Sequence, residues 1–258
     1  MNDFNRAYSP SVGAGSMDMS VNEGLRAFML GVYQKLAYGI ALAGGLAFLV
    51  GSNSVPALTE FVLFSPFRYV VQFGPIALIL ISAFAMRRPS PLGTAVLYWT
   101  IVTLLGLSLS VWVLMATMNT EAASRAGIVY STTFITIAKA FFLTATAFGA
   151  LSLYGYTTKR DLQPIGVIAI FALWGIIGMS LLSFLFPPSG FFETAITVGV
   201  LAISGVLVAF DTQNLKRSYF ALEGDQRGLA VMTNWGALNF FILFYNIFTT
   251  ILSLLSRD

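Results

Sequence analysis

One acidic residue in this chain sits where an acid is expensive. Asp211 closes the apolar run 198–210 inside the string GVLVAFDTQNLKRSY. A carboxylate so close to hydrocarbon must be paired, hydrated or protonated, and such residues line a pathway or a packed polar site rather than face lipid. Glu193, Thr197, Ser204 and Asp211 follow one another at helical spacings and share one face. Glu193 and Asp211 would lie roughly 27 Å apart along it. Two readings stay open: a polar stripe lining a cavity or ion path, or Thr and Ser bonding back to their own helix while Glu193 faces water. Asn239, Asn246 and Ser253 form a similar face further on, with Leu243 between the two asparagines. These amides either line the same path or act as interhelical glue. Arg87 ends an earlier apolar run and is either a partner for Asp211 or an interface anchor.

The elements that must position these residues are membrane helices. Hydrophobic residues make up 57% of the 258 and charged residues 10%, against roughly a quarter charged in a soluble domain. Apolar runs near the spanning length of ~20 residues recur, and they lack the short alternating segments of a membrane barrel. Seven spans are predicted, at about 27–50, 69–86, 92–116, 135–154, 165–186, 192–211 and 230–255. Residues 1–22 read as a flexible cytoplasmic tail with no signal-peptide core, and 23–258 as one seven-helix transmembrane domain. The fold class is an all-α integral membrane bundle.

Basic residues orient it. Arg6, Arg26, Lys35, Arg87, Arg88, Lys159, Arg160, Lys216, Arg217 and Arg227 fall on one side of this layout. Only Arg68, Arg125, Lys139 and Arg257 fall on the other. The N-terminus is therefore expected in the cytoplasm and the C-terminus outside. A net charge of +3 carries no nucleic-acid inference. With no Cys and no His, thiolate metal sites, cysteine catalysis, HExxH zinc chemistry and histidine-dependent serine hydrolysis are excluded. No enzymatic activity is expected. A retinal pump is disfavoured because 230–255 holds no lysine.

Three strings then carry a resemblance: FGALSLYGYTTKRDL at 148–162, AFDTQ at 209–213 and GLSLS at 106–110. In order and spacing they resemble the Bax inhibitor family, the transmembrane Bax inhibitor motif proteins, in a bacterial form, over about residues 24–256. The resemblance implies a bundle with the seventh helix surrounded by six others, in a bacterial inner membrane. It also implies a pH-sensitive calcium leak whose sensor is an aspartate pair on the sixth and seventh helices, with an arginine at the second helix's cytoplasmic end holding the pore closed. On these motifs Asp211 takes the sixth-helix role and Arg87 the arginine role. The seventh-helix string departs from the family: it reads NFFILFYNIF at 239–248, which puts Leu243 at the second aspartate's position.

Two close carboxylates cannot both ionise cheaply, which makes such a pair a proton switch. A lone Asp211 lacks that coupling, so the expected switch is weakened or lost. Calcium prefers six to eight oxygens, several of them carboxylate, so Asp211 is at most a weak calcium site, with transient passage still open. The expectation is an ion leak with altered pH response, gated by Asp211 and Arg87. Glu193, Thr197, Ser204, Asn239, Leu243 and Asn246 are the candidates for its lining. The alternative is a non-conducting regulator that binds other membrane proteins. The expected partners are the bilayer, calcium or another cation, and in the alternative an unidentified membrane protein. No resident cofactor or nucleic acid is expected, and the bundle is expected to be a monomer.

Overall fold

The structure is a computed structural model that describes residues 22–85, 88–126, 133–182 and 190–256. Residues 1–21 of the predicted tail and Arg87 lie outside these residues. Helix α1 spans Glu23–Gly51; a short α2, Pro56–Thr59, runs into a π-helical turn, Glu60–Phe64. Then come α3 (Phe67–Ala85), α4 (Pro91–Ala126), α5 (Phe134–Thr157), α6 (Gln163–Leu182), α7 (Gly190–Ala221) and α8 (Gln226–Leu255).

The helix starts follow from local chemistry. Asn22 accepts the Leu25 amide at 2.8 Å, and Thr133 and Thr136 form a reciprocal capping box for α5. Asp225 accepts the Gly228 amide at 2.9 Å to open α8. Each satisfies N–H groups that the first turn leaves without an intrahelical acceptor. Before Asp225, Gly224 takes φ +90 in the tight α7–α8 turn, a conformation that excludes most side chains.

Among the described residues six helices are long and apolar enough to cross a membrane: α1, α3, α4, α5, α7 and α8. The fifth predicted span corresponds to α6, Gln163–Leu182, of which the apolar stretch Gln163–Ile176 lies among the fully described residues. Half of the most apolar stretch of α8 is buried, against at most a third in any other span. Helix α8 packs on α1, α4, α5 and α7, while α3 packs mainly on α4 and α6 on α7. The last helix is thus the core helix, with four principal neighbours among the described residues. Its buried face, including Ala237, Phe240, Phe241, Phe244 and Phe248, meets Leu25, Val32 and Leu36 of α1, Tyr98 and Ile101 of α4, Phe148 of α5 and Val208 of α7 in one cluster.

Small residues set the closest approaches. A Cβ on Gly39 would strike the Tyr98 side chain, and one on Gly106 would strike Ala43. Glycine at these two places lets α1 and α4 meet closely. Two differences from the predicted layout bear on the charged residues. Helix α7 continues ten residues past Asp211 to Ala221, so Asp211 lies within the helix rather than at its end. Lys35, grouped with the charges on the cytoplasmic side, lies twelve residues into α1. In both cases hydropathy marks polarity along the helix, whereas backbone bonding carries the helix on regardless.

Candidate functional site

The 148–162 and 209–213 strings meet in space. Ser152 Oγ lies 3.2 Å from Thr212 Oγ1, which donates to the Val208 carbonyl at 2.8 Å. Tyr33 of α1 joins the chain by a hydrogen bond to Ser152. A Cβ on Gly155 would collide with the Ala209 backbone, so α5 and α7 touch main chain to main chain here. Gln213 then fastens the α5–α6 connection. Its Oε1 accepts the buried Leu162 amide at 2.9 Å, and its Nε2 donates to the Arg160 carbonyl at 2.8 Å. Lys216 donates to the Tyr156 carbonyl at 2.7 Å and lies 4.2 Å from that ring's centroid. Arg217 pairs with Asp161 at 2.7 Å. The Arg217 hydrogen bond, helped by the Gln163 amide, holds the exposed Asp161 carboxyl below its ordinary range.

Helical geometry separates this fastening from Asp211. Ala209, Thr212, Gln213 and Lys216 stand at i, i+3, i+4 and i+7, on the face toward α5 and the α5–α6 connection. Asp211, Asn214, Leu215 and Ser218 repeat the same spacing on the opposite face, toward α8. There they line a cleft of about 40 Å³ with Trp235, Gly236 and Asn239 of α8. Among the described residues no hydrogen bond or ion pair reaches the Asp211 carboxylate. One carboxylate, two amides and a hydroxyl thus line a space large enough to hold water. Such a set attracts a cation but falls short of the several carboxylates of a tight calcium site. Among the described residues no three His, Cys, Asp or Glu side chains cluster to hold a metal.

The predicted residues are distributed unequally. Asp211 and Asn239 share the cleft. Leu243, one turn from Asn239, is buried in the apolar core, and Asn246 is half-buried. Ser204 is fully buried, and its hydroxyl has no partner among the described residues. Thr197 donates to the Glu193 carbonyl at 2.7 Å, bonding to its own helix, and Glu193 is exposed in the first turn of α7. Arg87 falls outside the described residues, and α3 is described only to Ala85.

Sequence reasoning missed two features. Asn214 and Ser218 belong to the Asp211 face, and their i+3 and i+7 offsets are the signal that could have found them. The second is a polar node joining α1, α4 and α8. Asn234 accepts a hydrogen bond from Lys35 and donates to the Pro91 carbonyl at 2.9 Å and Thr94 Oγ1 at 2.8 Å. Tyr98 donates to the Lys35 carbonyl at 2.5 Å. A lysine inside an apolar helix was the visible hint.

Apolar helices of spanning length, packed around a buried core helix with one carboxylate held between α7 and α8, define a polytopic α-helical membrane protein. The family model described as inhibitor of apoptosis-promoting Bax1 matches residues 25–258. The chain belongs to this Bax inhibitor family. It is 44% identical over 263 residues to an uncharacterized protein of Caulobacter vibrioides, covering 98% of this chain and 97% of that one. It is 31% identical over 230 residues to the inner membrane protein YbhL of Escherichia coli K12, covering 89% and 91%. An uncharacterized protein of Rickettsia prowazekii is 29% identical over 252 residues, covering 97% and 98%.

Proposed function

We propose that this protein is a cation-permeable bundle, a calcium leak whose pH response is weakened because Leu243 occupies the second aspartate's position. The observation that supports this reading is the Asp211 cleft. A single carboxylate, without a partner among the described residues, faces the neutral polar groups of Asn214, Ser218 and Asn239, while Leu243 is buried in the core. Asp211 then has no second acid with which to share a proton, so the paired-carboxylate switch is missing one half. A weak oxygen set suits passage better than retention. In this reading Asp211 and Arg87 form the gate, and α6 supplies the fifth of seven spans. The N-terminus is cytoplasmic and the C-terminus outside, in an inner membrane like that of the E. coli relative. The protein performs no catalysis and works as a monomer.

Calcium flux into proteoliposomes, measured from pH 6 to 8, tests this. Wild type should leak with a shallow pH dependence. Asp211→Asn should reduce the leak, Arg87→Ala should raise it, and Leu243→Asp should steepen its pH response. Wild-type flux no greater than that of empty vesicles would sink the channel reading. That outcome would favour a non-conducting regulator that binds other membrane proteins. The observation on its side is the break in the polar face above Asp211: Ser204 is buried without a partner among the described residues, and Thr197 bonds its own helix. Co-purification of a stable membrane partner without flux would support it.

A further inference from the structure

Helices α1 and α5 both pack on α8 but make no extended contact with each other. The Tyr33–Ser152 hydrogen bond links them near one end, and the Phe48 and Phe134 rings, 6.5 Å apart, link them near the other. Alongside the first bridge and on toward the second runs an apolar groove in two compartments that share Ile40 and Phe244, of about 410 Å³ and about 320 Å³. A Cβ on Gly149 of α5, or on Gly44 of α1, would meet nothing within 4 Å. Small residues on membrane helices ordinarily serve close helix packing, as Gly39 and Gly106 do in this fold. Gly44 and Gly149 instead front open space.

We propose that the 410 Å³ compartment binds one acyl chain of an anionic phospholipid. Its walls are faces of two membrane-spanning helices and its floor belongs to α8, so its open side meets bilayer hydrocarbon. Left empty, its lining forfeits dispersion contacts, and a lipid chain is the filler at hand. Along α5 the compartment runs from Ala145 to Tyr156, roughly 16 Å of helix, which is about the depth of one leaflet of a ~30 Å hydrocarbon core. The chain therefore enters from the Tyr156 end. Cations gather there: Lys216 sits over the Tyr156 ring, and Lys159 and Arg160 are exposed just beyond α5. The neighbouring acid Asp161 is engaged by Arg217. A phosphate-bearing headgroup complements this end, while the Tyr33 and Ser152 hydroxyls mark the polar edge of the groove.

The test uses the full chain, extracted in mild detergent from membranes containing phosphatidylglycerol and phosphatidylethanolamine. Native mass spectrometry then reads the bound lipid. Wild type should carry one phospholipid per chain, enriched in phosphatidylglycerol relative to the membrane. Gly149→Leu and Ala145→Leu place methyl groups in the groove and should lower the bound fraction roughly tenfold, with circular dichroism unchanged. Lys159→Gln combined with Arg160→Gln should abolish the enrichment but keep one lipid bound. Wild type without lipid, or lipid retained equally by both leucine variants, would overturn the proposal. So would a wild-type dimer that Gly149→Leu dissociates, since a second copy would then fill the groove.

Discussion

Replacing Gln213 with Ala should release the α5–α6 connection while leaving the bundle intact. Gln213 holds two backbone groups of that connection at once, the Leu162 amide and the Arg160 carbonyl. Leu162 is buried, so its amide would lose its acceptor where water does not readily replace it, at a cost of about 1–3 kcal/mol. Arg160 is exposed, and its carbonyl can exchange Gln213 for water at a cost of about 1 kcal/mol or less. The sum, about 2 kcal/mol, raises the opened population of the connection roughly thirtyfold. Trypsin reads this directly, because Lys159 and Arg160 lie in the connection itself. Cleavage of a transiently opened segment follows its open population when reclosing is fast. In detergent-solubilised protein, Gln213→Ala should be cut after Lys159 or Arg160 roughly thirty times faster than wild type. Gln213→Glu keeps the acceptor for Leu162 and loses only the donor, so it should fall between the two. Asp211→Asn, on the opposite face of α7, should match wild type. If Gln213→Ala is cut no faster than wild type, the Gln213 bonds do not hold the connection and the fastening role of the AFDTQ string is wrong.

Two further outcomes follow from other contacts. Asn234→Ala strips Lys35, Thr94 and the Pro91 carbonyl of a shared buried partner, so it should cost about 2–3 kcal/mol. A thermal melt in detergent should show a midpoint lower by roughly 5–10 °C, and Asn234→Asp, which keeps the acceptor for Lys35, should recover part of the loss. The Asp161–Arg217 pair should respond to acid. Because the folded Asp161 carboxyl titrates below its ordinary range, its contribution is present above the unfolded value of about 3.9. It fades as pH falls through the folded value. Hydrogen exchange in the α5–α6 connection, corrected for intrinsic rates, should rise on acidification in wild type. Asp161→Asn should show no such step, and identical profiles for the two proteins would count against the pair.

Much of this was legible in the residues. A chain with so few charges and repeated apolar runs has to satisfy its backbone internally, which dictates helices. Asp211 stands out because a carboxylate beside hydrocarbon is costly wherever the helix lies. That Leu243 stands where an acid would be expected is implied by the family resemblance, with Phe244, Asn246 and Phe248 setting the register. Other parts were misread for identifiable reasons. Tracing the Asp211 face toward Glu193 followed the apolar half of α7, whereas its polar neighbours Asn214 and Ser218 lie in the ten residues beyond. Lys35 looked like one of the cytoplasmic charges because hydropathy has no view of Asn234, 199 positions away along the chain.

The sequence by itself determined the local terms: helical backbone, the cost of each buried polar group, and which side chains share a helical face. Only the tertiary structure decided which faces meet. It turned Thr212 and Gln213 toward α5 and the α5–α6 connection while Asp211 faces α8, and it made α8 the core helix with α3 and α6 packed outside. It also left α1 and α5 apart over a groove. Periodicity fixes direction around one helix axis, but neighbours are selected by contacts between residues far apart in the chain. Gly155 against Ala209 and Gly39 against Tyr98 are examples, and their fit exists only once both helices are in place.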